Sequence, residues 1–171
     1  MISLSGPSLS AIDRSSELYT KLLALNPRLA AKDSSIWGIE AEAEAKIRLN
    51  WVDLPTSSRQ LLPELDRLSA QFPNVNRVIL CGMGGSSLGP EVISKTFNKE
   101  IEILDSTDPN YLSHSLVSDL SRTIIVIGSK SGSTIETASQ REFFVEYLKL
   151  KGLTPQRHMV IVTDPQSPLD H

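Results

Sequence analysis

Four short apolar runs recur from residue 78 onward: Val78-Ile79-Leu80-Cys81, Ile101-Glu102-Ile103-Leu104, Ile124-Ile125-Val126-Ile127 and Met159-Val160-Ile161-Val162. Each of the first three is followed by a turn and then by residues of helical periodicity. Strands alternating with helices form a parallel sheet, because each connection must cross back over the sheet, and it does so with right-handed sense. The expected fold class is α/β. A doubly wound, flavodoxin-like parallel sheet is expected, with strand order 2-1-3-4, preceded by an α-helical N-terminal segment. In that order the chain changes direction between strands one and three, and ligands bind beyond the C-terminal ends of those strands.

The turns after strands one and three are therefore expected side by side, and both suit an anion. The first, GMGGSSLGP (82–90), is rich in glycine and serine. The second, SKSGST (129–134), is almost all hydroxyls and small residues with one lysine. Where such a turn opens a helix, free backbone N–H groups and the positive helix end point at one spot, and hydroxyls add donors. Helical spacing after the first turn predicts Leu88, Val92, Ile93 and Phe97 facing inward. Asp108 followed by Pro109 marks the start of the next helix, with Leu112, Leu116 and Leu120 along one face. The third helix reaches about Lys151, carries Phe144, Tyr147 and Leu148, and stops at Gly152. The fourth strand would be left as an unpaired edge. A doubly wound domain usually has five or more strands, so the chain reads as a fragment of a longer protein.

Before residue 77 the pattern is helical. Leu18, Leu22 and Leu23 share a face of a helix ending near Asn26-Pro27, and Asp33 or Ser34 caps a second helix reaching Ile47. A third begins near Thr56, with Leu61, Leu65, Leu68 and Phe72 at helical spacing and Pro63 at its first turn or a kink. Counting Arg77, nine basic and nine acidic residues cancel over residues 1–77, which argues against a nucleic-acid-reading helix pair. The domain organisation read from this is a helical segment, residues 1–76, and a binding domain, residues 77–171, truncated at its C-terminus.

Net charge is −3, so no basic surface advertises nucleic acid. No apolar run approaches the roughly 20 residues of a membrane span, and the N-terminus lacks the pattern of a secretory signal. The single cysteine, Cys81, cannot form an internal disulfide and reads as a core residue in a cytoplasmic, reducing setting. His114, His158 and His171 share no metal-ligand spacing, and no metal or cofactor is expected. Trp37 and Trp51 read as core or interface anchors.

A dinucleotide fingerprint is only half present. Gly82-x-Gly84 follows a strand and Asp105 closes the second strand, but the third glycine position holds Ser87. That reading also leaves the second turn without a purpose. Lys130 belongs to no Walker loop. Taken together, CGMGGSSLGPE (81–91) and SKSGSTIET (129–137) resemble the two phosphate-loop motifs of the glucose-6-phosphate isomerase family, which has the sugar isomerase (SIS) fold. ILDSTDPNYL and the helix up to Gly152 are similar to the branch found in some bacteria, and the resemblance spans roughly residues 34–171.

The resemblance implies roles residue by residue. Gly84, Gly85 and Ser86 correspond to contacts with the sugar and its phosphate. Ser129, Lys130, Ser131 and Thr134 correspond to the phosphate clamp, and Glu136 to a carboxylate supporting the histidine of ring opening. Ser133 and Glu136 also have capping-box spacing, and ordinary turn residues are the lesser reading of Ser129 and Ser131. Gly132 and Ser133 stand where some members carry bulkier residues, which widens the loop. The implied activity is interconversion of glucose 6-phosphate and fructose 6-phosphate by a cytoplasmic homodimer. The principal base and acid come from later sequence, so this chain alone is expected to be inactive. The alternatives are a non-catalytic phosphosugar-sensing SIS module and a related phosphosugar isomerase.

Overall fold

The structure, a computed structural model, describes residues 5–116 and 119–170. Met1–Leu4, part of the stretch read above as no signal, and His171 lie outside the described residues. The chain divides into two compact units, Met1–Ala70 and Gln71–His171.

The first unit is all helical: α1 (Pro7–Ser10), α2 (Glu17–Ala30), α3 (Glu42–Arg48), α4 (Leu54–Ser57) and α5 (Leu62–Ser69), linked in part by 3-10 turns. Ser16 caps α2, accepting from the Tyr19 N–H at 3.2 Å. The helix runs through Pro27 rather than ending there. Pro27 removes one donor near the C-terminal end, and its own carbonyl still accepts from the Ala31 N–H at 3.0 Å. Asp33 does cap, but it caps the 3-10 turn Ser34–Trp37, and α3 begins only at Glu42. Pro63 lies in the first turn of α5, where a missing N–H costs nothing. Among the described residues of this unit only Ala45 and Leu49 are buried, and Leu18, Leu22, Leu23, Leu61 and Leu65 are exposed. Trp37 and Trp51 are about half-exposed and line a small hollow over Ala45 and Leu49.

The second unit alternates β1 (Arg77–Gly82), α6 (Gly85–Thr96), β2 (Glu102–Leu104), α7 (Pro109–Ser115), β3 (Thr123–Gly128), α8 (Ile135–Leu150) and β4 (Met159–Val162). The strands form one parallel sheet in the order β2-β1-β3-β4, as the alternation predicts. The chain moves one way from β1 to β2 and the other way from β2 to β3. Right-handed crossovers therefore place α6 on one face and α7 and α8 on the other. Ile79, Cys81, Ile125 and Ile127 point to the α7/α8 face and are fully buried, with Leu104, Leu112, Phe144 and Leu148 around them. Burying these side chains contributes roughly 1.5–3 kcal/mol each.

The α6 face differs from the sequence expectation. Leu88, Val92, Ile93 and Phe97 do not face inward: they are between 56% and 71% exposed. Ser87 and Ser94, seven apart on the helix, are the buried pair. Small side chains against the strand let the backbones approach closely, which turns the apolar stripe away from the sheet. At the far side Asp108 caps α7, its Oδ1 accepting from the N–H groups of Asn110 (2.8 Å) and Tyr111 (3.3 Å). Leu112 is buried on α7, but Leu120 reaches the core from a separate 3-10 turn because the helix has already ended. β4 forms the sheet edge, with Ile161 and Val162 exposed. No helix among the described residues is long and apolar enough to cross a membrane.

Candidate anion site between the turns after β1 and β3

Register fixes where the two turns meet. β1 and β3 pair from Arg77↔Thr123 through Gly82↔Gly128, so both strands end level. Gly82 and Gly128 let the two exits come close. A Cβ on Gly82 would lie 3.1 Å from the Gly128 carbonyl oxygen and 3.2 Å from the Ser86 Cβ.

After β1 the backbone turns sharply at Gly84, whose φ of 56° and ψ of −124° suit glycine alone. Gly84 is the N-cap of α6 and has no side chain to accept from the helix's first N–H groups. Its carbonyl accepts from the N–H groups of Ser87 and Leu88 and from the Ser87 hydroxyl. Gly85 and Ser86 thus begin a 12-residue helix with an uncapped positive end.

After β3 the Ser129 N–H donates to the Val162 carbonyl at 3.0 Å, and its buried hydroxyl donates to Thr134 Oγ1 at 3.2 Å. The Gly132 N–H donates back to the Ser129 carbonyl, and the Ser133 hydroxyl bonds Ser131 Oγ at 2.9 Å. Thr134 is the N-cap of α8, yet its side chain makes no bond to the helix backbone. The capping box expected from Ser133 and Glu136 does not form, since Ser133 is turned into the loop. The 16-residue α8 therefore also presents an uncapped positive end.

A groove of about 520 Å³ runs from this pair of turns across the α6 face of the sheet. Gly85, Ser86, Ser129 and Lys130 line it together, with Gly128 and Asp164. Ser131 and Thr134 sit on the same loop outside that lining, Gly84 shapes the turn, and Glu136 is half-buried in the first turn of α8. Lys130 is exposed and forms no ion pair among the described residues, which leaves its ammonium free near the loop. Among the described residues no cluster of three metal-ligating side chains occurs.

A larger cavity of about 820 Å³ lies at the opposite, N-terminal end of the strands. Its Arg77 is already bound to the Glu102 carboxylate and the Ser115 carbonyl. The C-terminal end is where a doubly wound sheet binds ligands.

Three features were not anticipated. Gly132 does not open the loop: it is buried, and a Cβ there would meet Ser167 Oγ at 2.6 Å. The segment after β4 fills that space, and the hydroxyls in TDPQSPL were its only visible trace. Gln140 is buried on α8, its amide donating to the Leu104 (3.1 Å) and Ser106 (2.9 Å) carbonyls. It continues the Phe144–Leu148 stripe back to Thr137 in a polar form. Cys81, beside the site, is pushed up to about 12 by burial and by the Glu102 charge, so its thiol stays protonated. His158 is a strand-end residue whose Nδ1 lies 3.2 Å from the Thr123 carbonyl.

The family model of phosphoglucose isomerase matches residues 66–168. The chain belongs to the phosphoglucose isomerase family. It is 36% identical over 123 residues to a glucose-6-phosphate isomerase of Thermus thermophilus, covering 69% of this chain and 29% of that protein. It is 30% identical over 145 residues to one of Chlamydia pneumoniae, covering 81% and 26%. The crystal structure of a glucose-6-phosphate isomerase from Chlamydia trachomatis superposes with a TM-score of 0.61 at 31% identity, over 67% of this chain and 24% of that one. The crystal structure of a hypothetical protein from Thermus thermophilus superposes with a TM-score of 0.68 at 31% identity, over 88% and 37%. The chain thus spans under a third of the length of these curated isomerase relatives.

Proposed function

We propose that this chain is the phosphosugar-gripping part of an aldose–ketose isomerase that interconverts glucose 6-phosphate and fructose 6-phosphate. The binding portion begins with β1 at Arg77, after a helical segment of residues 1–76. The observation that carries the reading is the level ending of β1 and β3, which brings side by side the turns that lead into two helices without side-chain caps. Gly84, Gly85 and Ser86 approach the sugar and its phosphate from one side. Ser129, Lys130, Ser131 and Thr134 hold the phosphate from the other with hydroxyls, N–H groups and one ammonium. A phosphate monoester carries nearly two charges at neutral pH, so two helix ends and a lysine suit it.

Isomerisation moves a proton between C1 and C2 through an enediol-like species, which needs a base, a ring-opening acid and a cation for the oxyanion. A remote phosphate grip supplies binding energy that holds the reacting carbons in place. The groove contains one carboxylate, Asp164, and one ammonium, Lys130, with Glu136 nearby as a supporting carboxylate. That set is too small for all three roles, and negligible turnover is expected from these 171 residues alone.

Calorimetric titration with glucose 6-phosphate, beside glucose and beside NAD, tests the reading. Saturable heat only with the phosphorylated sugar is expected. Equal binding of glucose, or heat from NAD, would overturn it.

A further inference from the structure

The loop 129–134 can grip a phosphate only if something holds its shape, and the segment after β4 lies against it. The Asp164 N–H donates to the Lys130 carbonyl at 3.1 Å, and the Thr163 hydroxyl reaches the same oxygen at 3.4 Å. The Thr163 and Ser167 hydroxyls are 2.6 Å apart, and the Leu169 N–H donates to Ser167 Oγ at 3.3 Å. A carbonyl can only accept, so Thr163 spends its one proton on Lys130 and Ser167 must donate to Thr163. The result is a chain of one polarity: Leu169 N–H to Ser167, Ser167 to Thr163, Thr163 to the Lys130 carbonyl. Such chains reinforce each other where solvent is excluded, as at Ser167, which is 7% exposed, while the last link, from Thr163 to Lys130, lies at the surface. Leu169 anchors the far end in the same apolar cluster as Ile127 and Phe144.

Gly132 completes the fit. Its φ of 66° is left-handed, and a Cβ would lie 2.6 Å from Ser167 Oγ and 3.0 Å from the Leu169 nitrogen. The loop is thus closed from behind by a strap rather than left open.

We propose that Thr163 and Ser167 are positioning residues for phosphate binding. Their hydroxyl pair fixes the Lys130 carbonyl and the loop over Gly132, so that Ser129, Ser131 and Thr134 converge on a sugar phosphate before it arrives. The inference rests on the reading of residues 129–134 as the phosphate loop. Its energetic basis is preorganisation, since ordering the loop beforehand lowers the entropic cost of binding.

The test is titration of the 171-residue chain and its variants with glucose 6-phosphate, with thermal unfolding followed in parallel. Thr163→Val and Ser167→Ala break the same bond, and each is expected to raise Kd about three- to tenfold. The double variant should lose little more than either single one, because the two act as a unit. Thr163→Ser keeps the hydroxyl and should stay within about twofold of the parent chain. A merely structural role would lower the unfolding temperature without this rescue in affinity. Should Thr163→Val fail to fold, Ser167→Ala and Thr163→Ser still decide. Folded variants that bind like the parent overturn the strap alone. A parent chain that binds no phosphosugar overturns the loop reading and the strap with it.

Discussion

Gly82 and Gly128 are register partners in adjacent parallel strands, and a methyl on Gly82 would stand 3.1 Å from the Gly128 carbonyl oxygen. That contact sets how near the turns after β1 and β3 can come. Both helices that follow begin without a side-chain cap. At α6 the Ser86 and Ser87 N–H groups already donate to the Met83 and Gly84 carbonyls, whereas at α8 the first-turn N–H groups have no partner among the described residues and are left for a ligand.

Gly82→Ala should therefore be costly. The added carbon meets two backbone oxygens, those of Gly128 (3.1 Å) and Ser86 (3.3 Å), and the Ser86 Cβ at 3.2 Å, none of which is the end of a flexible side chain. Overpacking of this kind costs about 1–3 kcal/mol, and spreading the turns should weaken glucose 6-phosphate binding as well. Urea unfolding and titration of the same variant check both effects. A variant as stable as the parent, with unchanged affinity, would show that the turns tolerate separation.

The sheet order and the meeting of the turns were legible because period, turn chemistry and crossover handedness all agree for residues 77–162. The orientation of α6 was not. Leu88, Val92, Ile93 and Phe97 satisfy helical spacing, but spacing says which residues share a face and not which face meets the strand. The small face at Ser87 and Ser94 wins that position. Gly132 misled for a related reason: its role is set by Ser167, 35 residues later, and no local pattern reports such a contact. Gln140 escaped notice because a buried stripe was sought only in apolar residues.

Thr134→Val separates capping from ligand binding. The Thr134 hydroxyl bonds only Ser129 among the described residues and does not cap α8. Losing that bond should cost about 1 kcal/mol of stability or less. The affinity for glucose 6-phosphate should fall about tenfold, since a charge-assisted donor is removed. Equal affinity in the two chains, measured by calorimetry, would remove Thr134 from the clamp.

Gln140→Leu tests the tie between α8 and the exit of β2. Two carbonyls, those of Leu104 and Ser106, would lose their donor, while the unpartnered Gln140 Oε1 would also disappear. The first effect should dominate, for a destabilisation of about 1–3 kcal/mol in urea unfolding. Affinity for the phosphosugar should change little, because Gln140 bonds neither turn. A stable leucine variant would mean that relief of the orphaned oxygen offsets both lost bonds.

Cys81 gives a pH dependence with a definite sign. Its ordinary pKa of 9.0 is raised to about 12, first by burial and then by the negative charge of Glu102. Between those values the unfolded chain has released the proton and the native chain still holds it, so rising pH favours unfolding. The stability from this neutral thiol is complete below pH 9 and drains away toward pH 12. The slope is about 1.4 kcal/mol per pH unit at its steepest. Cys81→Ala lacks the group, so its stability relative to the parent should improve between about pH 8 and pH 10.5. The same burial should keep the thiol from alkylating agents until the chain unfolds. A difference between the two chains that stays flat over that range, or rapid alkylation of native protein, would show that the thiol is open to solvent.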